Sequence, residues 1–196
     1  METNKVKKKG RLYFLLILAV CIAPVVASYF TYYVVKPTAR TNYGDLLDPR
    51  NYPMPQLGAS TLDGKPAGLD AYKGKWIMLE ADAAHCGGTC EAKLFNMRLV
   101  RLLQGKEMDR IERVWLLAGD GAPNPVLEKK YEGTHILRVS RAVLQSWLPA
   151  ESGADMADYI YIVDPLGNLI MRFPKNPDLT KMKKDIYKLL SASSIG

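Results

Sequence analysis

Histidine and cysteine are scarce in this chain of 196 residues, which holds two histidines, His85 and His135, and three cysteines, Cys21, Cys86 and Cys90. So small a set does not furnish a four-ligand zinc site of the usual kind. The C-x-x-C spacing is missing as well, because three residues separate Cys86 from Cys90. No internal repeat or low-complexity tract occurs, which excludes solenoids and arrays. Charge is absent from Leu12 to Val35, and the net charge of +7 owes much to the basic residues that flank that run. Lys181, Lys183, Lys184 and Lys188 are spaced like the solvated face of a helix, without a groove of interleaved aromatic side chains, so nucleic-acid binding is excluded.

What is present divides the chain into four parts. Residues 1–11 form a basic tail with Lys5, Lys7, Lys8, Lys9 and Arg11. Residues 12–35 are apolar or aromatic, with Ser28 and Thr31 as hydroxyls and Tyr29, Phe30, Tyr32 and Tyr33 at the far end. A helix of that length crosses about 30 Å of hydrocarbon, and its tyrosines suit the interface. Only Lys36 and Arg40 follow closely, so the positive-inside rule predicts a single-pass anchor with its N-terminus in the cytoplasm and the remainder outside. Val26-Ala27-Ser28 loosely resembles a signal-peptide cleavage site, yet the apolar run beyond it favours an uncleaved anchor. Residues 36–55 read as a juxtamembrane linker, and 56–196 as one domain whose hydrophobic residues suffice for a core.

Within the domain, Asp63-Gly64 marks a hairpin turn and Trp76 to Leu79 a buried strand. Leu94, Met97, Leu99, Val100, Leu102 and Leu103 keep helical spacing until Gly105. Arg113–Ala118 and 136–139 read as strands, 126–131 and 141–148 as helices. Tyr159 to Val163 and Leu169 to Phe173 flank Asp164-Pro165-Leu166-Gly167-Asn168 as a hairpin, and a helix closes the chain from about Asp178 to Ser191. Alternating strands and helices predict a three-layer α/β sandwich.

The chemistry gathers between Gly74 and Met97, where a strand, a small-residue loop and a helix place Cys86 and Cys90 at a helix N-terminus. Unpaired N–H groups and the helix dipole favour a thiolate there. In an oxidising compartment the pair is a structural staple, a redox couple or a soft-metal site, and a bridge closing so short a loop constrains little of the unfolded chain. Cu(I) suits two thiolates with a third soft or imidazole ligand. Asp82, Glu80 and Glu91 are acidic neighbours that oppose the dipole.

Gly74-Lys75-Trp76, the apolar strand, and His85-Cys86 with Cys90 together resemble the Sco/SenC family, membrane-anchored thioredoxin-fold proteins that assist assembly of the copper A centre of cytochrome c oxidase. Leu62 to Pro66 is similar to that family's leading hairpin, and Tyr161 to Gly167 to its Y-L-x-x-P-x-G signature. The resemblance implies a thioredoxin-like sandwich behind one transmembrane helix, in the inner (cytoplasmic) membrane with a periplasmic domain. It implies oxidase subunits or other assembly factors as partners, and a dithiol that exchanges disulfides, with no cofactor required beyond Cu(I) where copper is held. The departures matter equally. The family's copper-binding histidine falls on Met156 here, and Gly87 and Glu91 replace the prolines that flank the cysteines. The candidate catalytic pair is therefore Cys86 and Cys90, and the candidate metal ligands are Cys86, Cys90, Met156 and His85. The alternative is a non-catalytic thioredoxin-fold scaffold of a membrane complex with a structural Cys86–Cys90 disulfide.

Overall fold

The computed structural model describes residues 3–35 and 42–195, and the chain divides into two compact units on either side of residues 41 and 42. The first is helix α1 (Thr3–Phe30), which continues through Pro24 and ends in a π-helical turn over Thr31–Val35. Its stretch Tyr13–Val34 is long and apolar enough to cross a membrane. Lys36 and Arg40, used in the charge comparison, lie outside the described residues, as does the 36–41 part of the expected linker.

The second unit is a six-stranded sheet with helices on both faces. Its elements are β1 (Asp45–Leu46), β2 (Trp76–Asp82), α2 (Gly88–Leu102), β3 (Ile111–Ala118), α3 (Pro125–Lys130), β4 (Thr134–Val139), α4 (Arg141–Trp147), β5 (Tyr159–Val163), β6 (Leu169–Pro174) and α5 (Leu179–Ala192). The strand order is β1-β6-β5-β2-β3-β4. β2, β3 and β4 are parallel, so each connection must cross over through a helix, whereas β5 and β6 pair antiparallel through a tight turn. The turn is the expected one: the Asp164 carboxylate accepts from the N–H groups of Leu166 and Asn168 at 3.0 and 2.8 Å.

The period-2 alternation of β2 sorts its side chains between two cores. Ile77, Leu79 and Ala81 join Val114, Leu116, Leu137 and Tyr161 under α4, where Leu144 and Trp147 close the layer. Trp76 and Met78 face α2 and α5, packing with Met97, Val100, Met182, Ile186 and Leu190. Nearer the end of β2, Cys90 and Leu94 of α2 meet Trp115 and Leu117 of β3. The result is the expected three-layer sandwich.

Three sequence expectations are revised. The 42–55 part of the proposed linker belongs to the domain: β1 pairs with β6, and the N–H groups of Tyr43 and Gly44 donate to the buried Asp185 carboxylate of α5 at 2.6 and 3.0 Å. Gly44 is required there by space, since a Cβ would lie 2.7 Å from Phe173 and 2.8 Å from Met171. The Asp63-Gly64 turn closes through isolated bridges, Ser60 with Pro66 and with Arg138, and not through two full strands. On α2 the buried stripe is Cys90, Lys93, Leu94, Met97 and Val100, while Leu102 and Leu103 are exposed. Spacing alone carries the apolar series on through Leu102 and Leu103 and passes over Lys93, which is buried.

Candidate functional site

Cys86 and Cys90 are joined as a disulfide with Cα atoms 5.2 Å apart. The two sulfurs are not equivalent. Cys86 lies on the loop between β2 and α2, is half-buried, and borders an open cleft of about 560 Å³ lined also by Ala84, His85, Asp120, Asn124 and Leu127. Cys90 sits in the first turn of α2, 2% exposed, against Leu94, Trp115 and Leu117. The N-cap of that helix is Gly87, which offers no side chain to the first N–H groups, so they remain available to a thiolate.

Beneath Cys90 lies a group of charges. Glu80 follows Trp76 and Met78 on the α2-facing side of β2, in a register that is otherwise apolar, and is fully buried with Oε1 3.7 Å from Cys90 Sγ. Its other oxygen is 3.3 Å from Nζ of Lys93, also fully buried. Lys93 is three residues past Cys90 and so shares its helix face. Its ammonium is completed by Asp82 at 3.1 Å and by the Ala157 carbonyl at 2.7 Å. Burial pushes the Glu80 carboxyl up to about 8, with the Lys93 charge pulling it down and Asp82 pushing it further up. A group at that position is matched to a thiol, whose ordinary pKa is about 8.5. Sequence reasoning noticed Glu80 and Asp82 only as neighbours and missed Lys93. The signal available was a lysine at i+3 from Cys90 on the stripe that continues through Leu94 and Met97.

The remaining candidates are placed differently. His85 is exposed on the cleft rim. Met156 opens the short 3₁₀ turn before β5 and is 3% exposed in the core under α4, a cluster separate from the one holding the cysteines. Asp155 and Asp158 cap that turn reciprocally, and Lys93 binds its middle residue through the Ala157 carbonyl. His135 is structural, its Nε2 3.1 Å from Glu112 and its ring tilted against Tyr72 with centroids 4.4 Å apart. Glu91 pairs with Lys130 of α3, which holds its carboxyl below the usual carboxylate range.

Among the described residues, the one cluster of His, Cys, Asp and Glu donors with metal-binding spacing is Glu80, Cys86 and Cys90. Two thiolates are soft donors that suit Cu(I), the third donor in the group is a hard carboxylate oxygen, His85 is outside the group, and Met156 packs in the core under α4. The two sulfurs therefore fit Cu(I), and the carboxylate adds no soft donor to them.

The sequence matches the family described as transmembrane-like, thioredoxin-like, C-terminal domain over residues 76–193. No curated protein matches it. Among solved structures, yeast Sco1 with copper bound shares 16% identity, covering 71% of this chain and 95% of that one with a TM-score of 0.56. A SCO1/SenC family lipoprotein from Bacillus anthracis shares 16% identity over 72% of this chain and 96% of its own, with a TM-score of 0.54. A thiol:disulfide interchange protein of the thioredoxin family from Chlorobium tepidum shares 17% over 74% and 99%, with a TM-score of 0.53. At such identities the likeness speaks for the fold, and the Sco/SenC resemblance read from the dithiol stretch reappears in it. With its sheet order, its dithiol at the mouth of α2 and the match over most of the domain, the chain belongs to the transmembrane-like, thioredoxin-like C-terminal domain family.

Proposed function

We propose that this protein is a membrane-anchored thiol–disulfide oxidoreductase that assists assembly of cytochrome c oxidase, working on cysteines of an oxidase subunit or of another assembly factor. The N-terminus lies in the cytoplasm and the thioredoxin-like domain in the periplasm, on the strength of the basic residues before the apolar span. The observation that carries the reading is the asymmetry of the pair: Cys86 borders an open cleft, and Cys90 is buried over Glu80.

Each sulfur then has a role. In the reduced protein the Cys86 thiolate attacks one sulfur of a partner disulfide. A Cys86–partner bond forms, the partner's own S–S bond breaks, and its second sulfur leaves as a thiolate that takes up a proton. The Cys90 proton passes to Glu80 in its ionised form, the form that predominates above about pH 8, and Cys90 attacks Cys86 Sγ, which closes the Cys86–Cys90 disulfide and expels the partner's first sulfur. The partner gains two electrons, and a dithiol donor must return two to this chain. Glu80 is here a positioning and proton-holding residue. The scheme itself needs no copper; Cu(I) held by the two thiolates of the reduced pair is a variant of the same reading.

Redox titration of the full chain in detergent tests the proposal. The pair is expected to equilibrate with a dithiol buffer at a potential above about −300 mV, and Cys86→Ser to abolish exchange with a disulfide substrate. A potential below that level, with oxidase assembly intact in Cys86→Ser cells, would instead support the scaffold with a structural bridge.

A further inference from the structure

The Glu80 carboxylate and the sulfurs of Cys86 and Cys90 offer donor atoms within 4.8 Å of one another. We propose that, once the disulfide is opened, these three residues hold a borderline divalent cation of the zinc class, with Glu80 as the third ligand. The inference rests on the dithiol opening as described above.

Distances favour it. In a tetrahedral site with Zn–S of about 2.3 Å and Zn–O of about 2.1 Å, a sulfur and an oxygen ligand stand about 3.6 Å apart. Glu80 Oε1 and Cys90 Sγ already stand 3.7 Å apart. Only Cys86 has to move, and it sits half-buried on a loop with the small residues Ala83, Ala84 and Gly87. Reduction itself separates the two sulfurs, to about 3.8 Å in such a tetrahedron.

The supporting contacts are equally suited. The Glu80 oxygen that does not face sulfur is held by Lys93, which is fixed in turn by Asp82 and the Ala157 carbonyl. Ligating carboxylates are commonly oriented by such partners, and the Asp82 charge offsets the ammonium. The cleft is lined by Cys86, with Glu80 and Cys90 buried behind it, so a water that completes three protein ligands enters from the Cys86 side. Two thiolates with one carboxylate match Zn²⁺, a borderline ion that accepts sulfur and oxygen donors together.

Binding is written as M²⁺ displacing the two thiol protons, with release of two H⁺ when Glu80 is a carboxylate and three when it is a carboxylic acid. A partner disulfide, reduced to its dithiol, takes two electrons from the thiolates; the Cys86–Cys90 bond forms, the sulfur lone pairs are withdrawn from the ion, and the ion leaves. The site is therefore redox-gated.

The test uses the full chain in detergent, reduced with a water-soluble phosphine, with free thiols counted before titration. Co²⁺ alone is added first, then Zn²⁺ against a chromophoric chelator, and Cu(I) in a separate competition. One equivalent of Co²⁺ with thiolate charge-transfer absorption is expected, displaced by Zn²⁺. Glu80→Gln is expected to weaken Zn²⁺ binding at least about tenfold while leaving the Cu(I) competition unchanged. Met156→Leu and His85→Ala are expected to change neither. Unaltered Zn²⁺ affinity in Glu80→Gln, or absence of binding by a chain whose two additional thiols are counted as free, overturns the metal site and leaves the exchange reading standing. Loss of binding in Met156→Leu or His85→Ala assigns the third ligand elsewhere and overturns it too, even if Glu80→Gln fails to fold. A pair that stays oxidised in phosphine overturns both.

Discussion

The two faces of β2 present a contrast within one strand. Ile77, Leu79 and Ala81 enter a core that is apolar throughout, while Trp76 and Met78 on the other face are followed by Glu80, set against Lys93 and Cys90. The apolar face is stabilised by area removed from water and tolerates changes that conserve volume. The charged end is stabilised only while every member keeps its partner, since a buried charge left alone costs far more than a lost contact. One face holds the fold together, and the other carries a group whose chemistry is tied to a sulfur.

Substitutions on the two faces sharpen that contrast. Lys93→Ala is expected to have the largest effect on stability, about 3–5 kcal/mol by denaturant unfolding above about pH 8, where Glu80 is ionised and it and Asp82 lose their shared counter-charge. A double replacement of Glu80 and Lys93 by methionines recovers most of that loss if burial of charge is the cause. Leu79→Ala on the apolar face is expected to cost about 2–5 kcal/mol, with no effect on the potential of the dithiol.

The third expectation concerns pH. In the folded chain Glu80 keeps its proton up to about 8, whereas in the unfolded chain a carboxyl loses it near the ordinary 4.5. The unfolded state therefore binds fewer protons between those values, and stability falls as pH rises through that window. Chemical denaturation at several pH values reads the slope, and its persistence in Glu80→Gln would assign it to another group. Met156→Leu is expected to be the mildest change, under about 1.5 kcal/mol, as befits a methionine that fills the apolar core. A larger loss accompanied by an altered potential would move Met156 to the charged end.

Much of the architecture was legible because it rests on local rules. The apolar run of α1, the Asp164 turn, the buried strands β3 and β5 and the helix that begins at the dithiol each announce themselves within a few residues. Residues 42–55 escaped notice for the opposite reason. Their attachment depends on Asp185, more than 140 positions away, and on a glycine whose necessity comes from Phe173 and Met171. The site divides in the same way. Cys86 and Cys90 were visible in the spacing, and the Sco/SenC resemblance alone pointed to Met156 where that family has its histidine; the structure sets Met156 in the core under α4.

By itself the sequence determined the order of the elements, the apolar anchor and a dithiol at a helix N-terminus, because hydrophobic period, turn chemistry and cysteine spacing act over short stretches of chain. Tertiary structure alone decided that Cys90 is buried over Glu80, that Lys93 turns inward to join it, and that Met156 turns away. Those outcomes depend on how a strand, a helix and a distant turn pack against each other, and burial is what converts two ordinary charged side chains into partners of a sulfur.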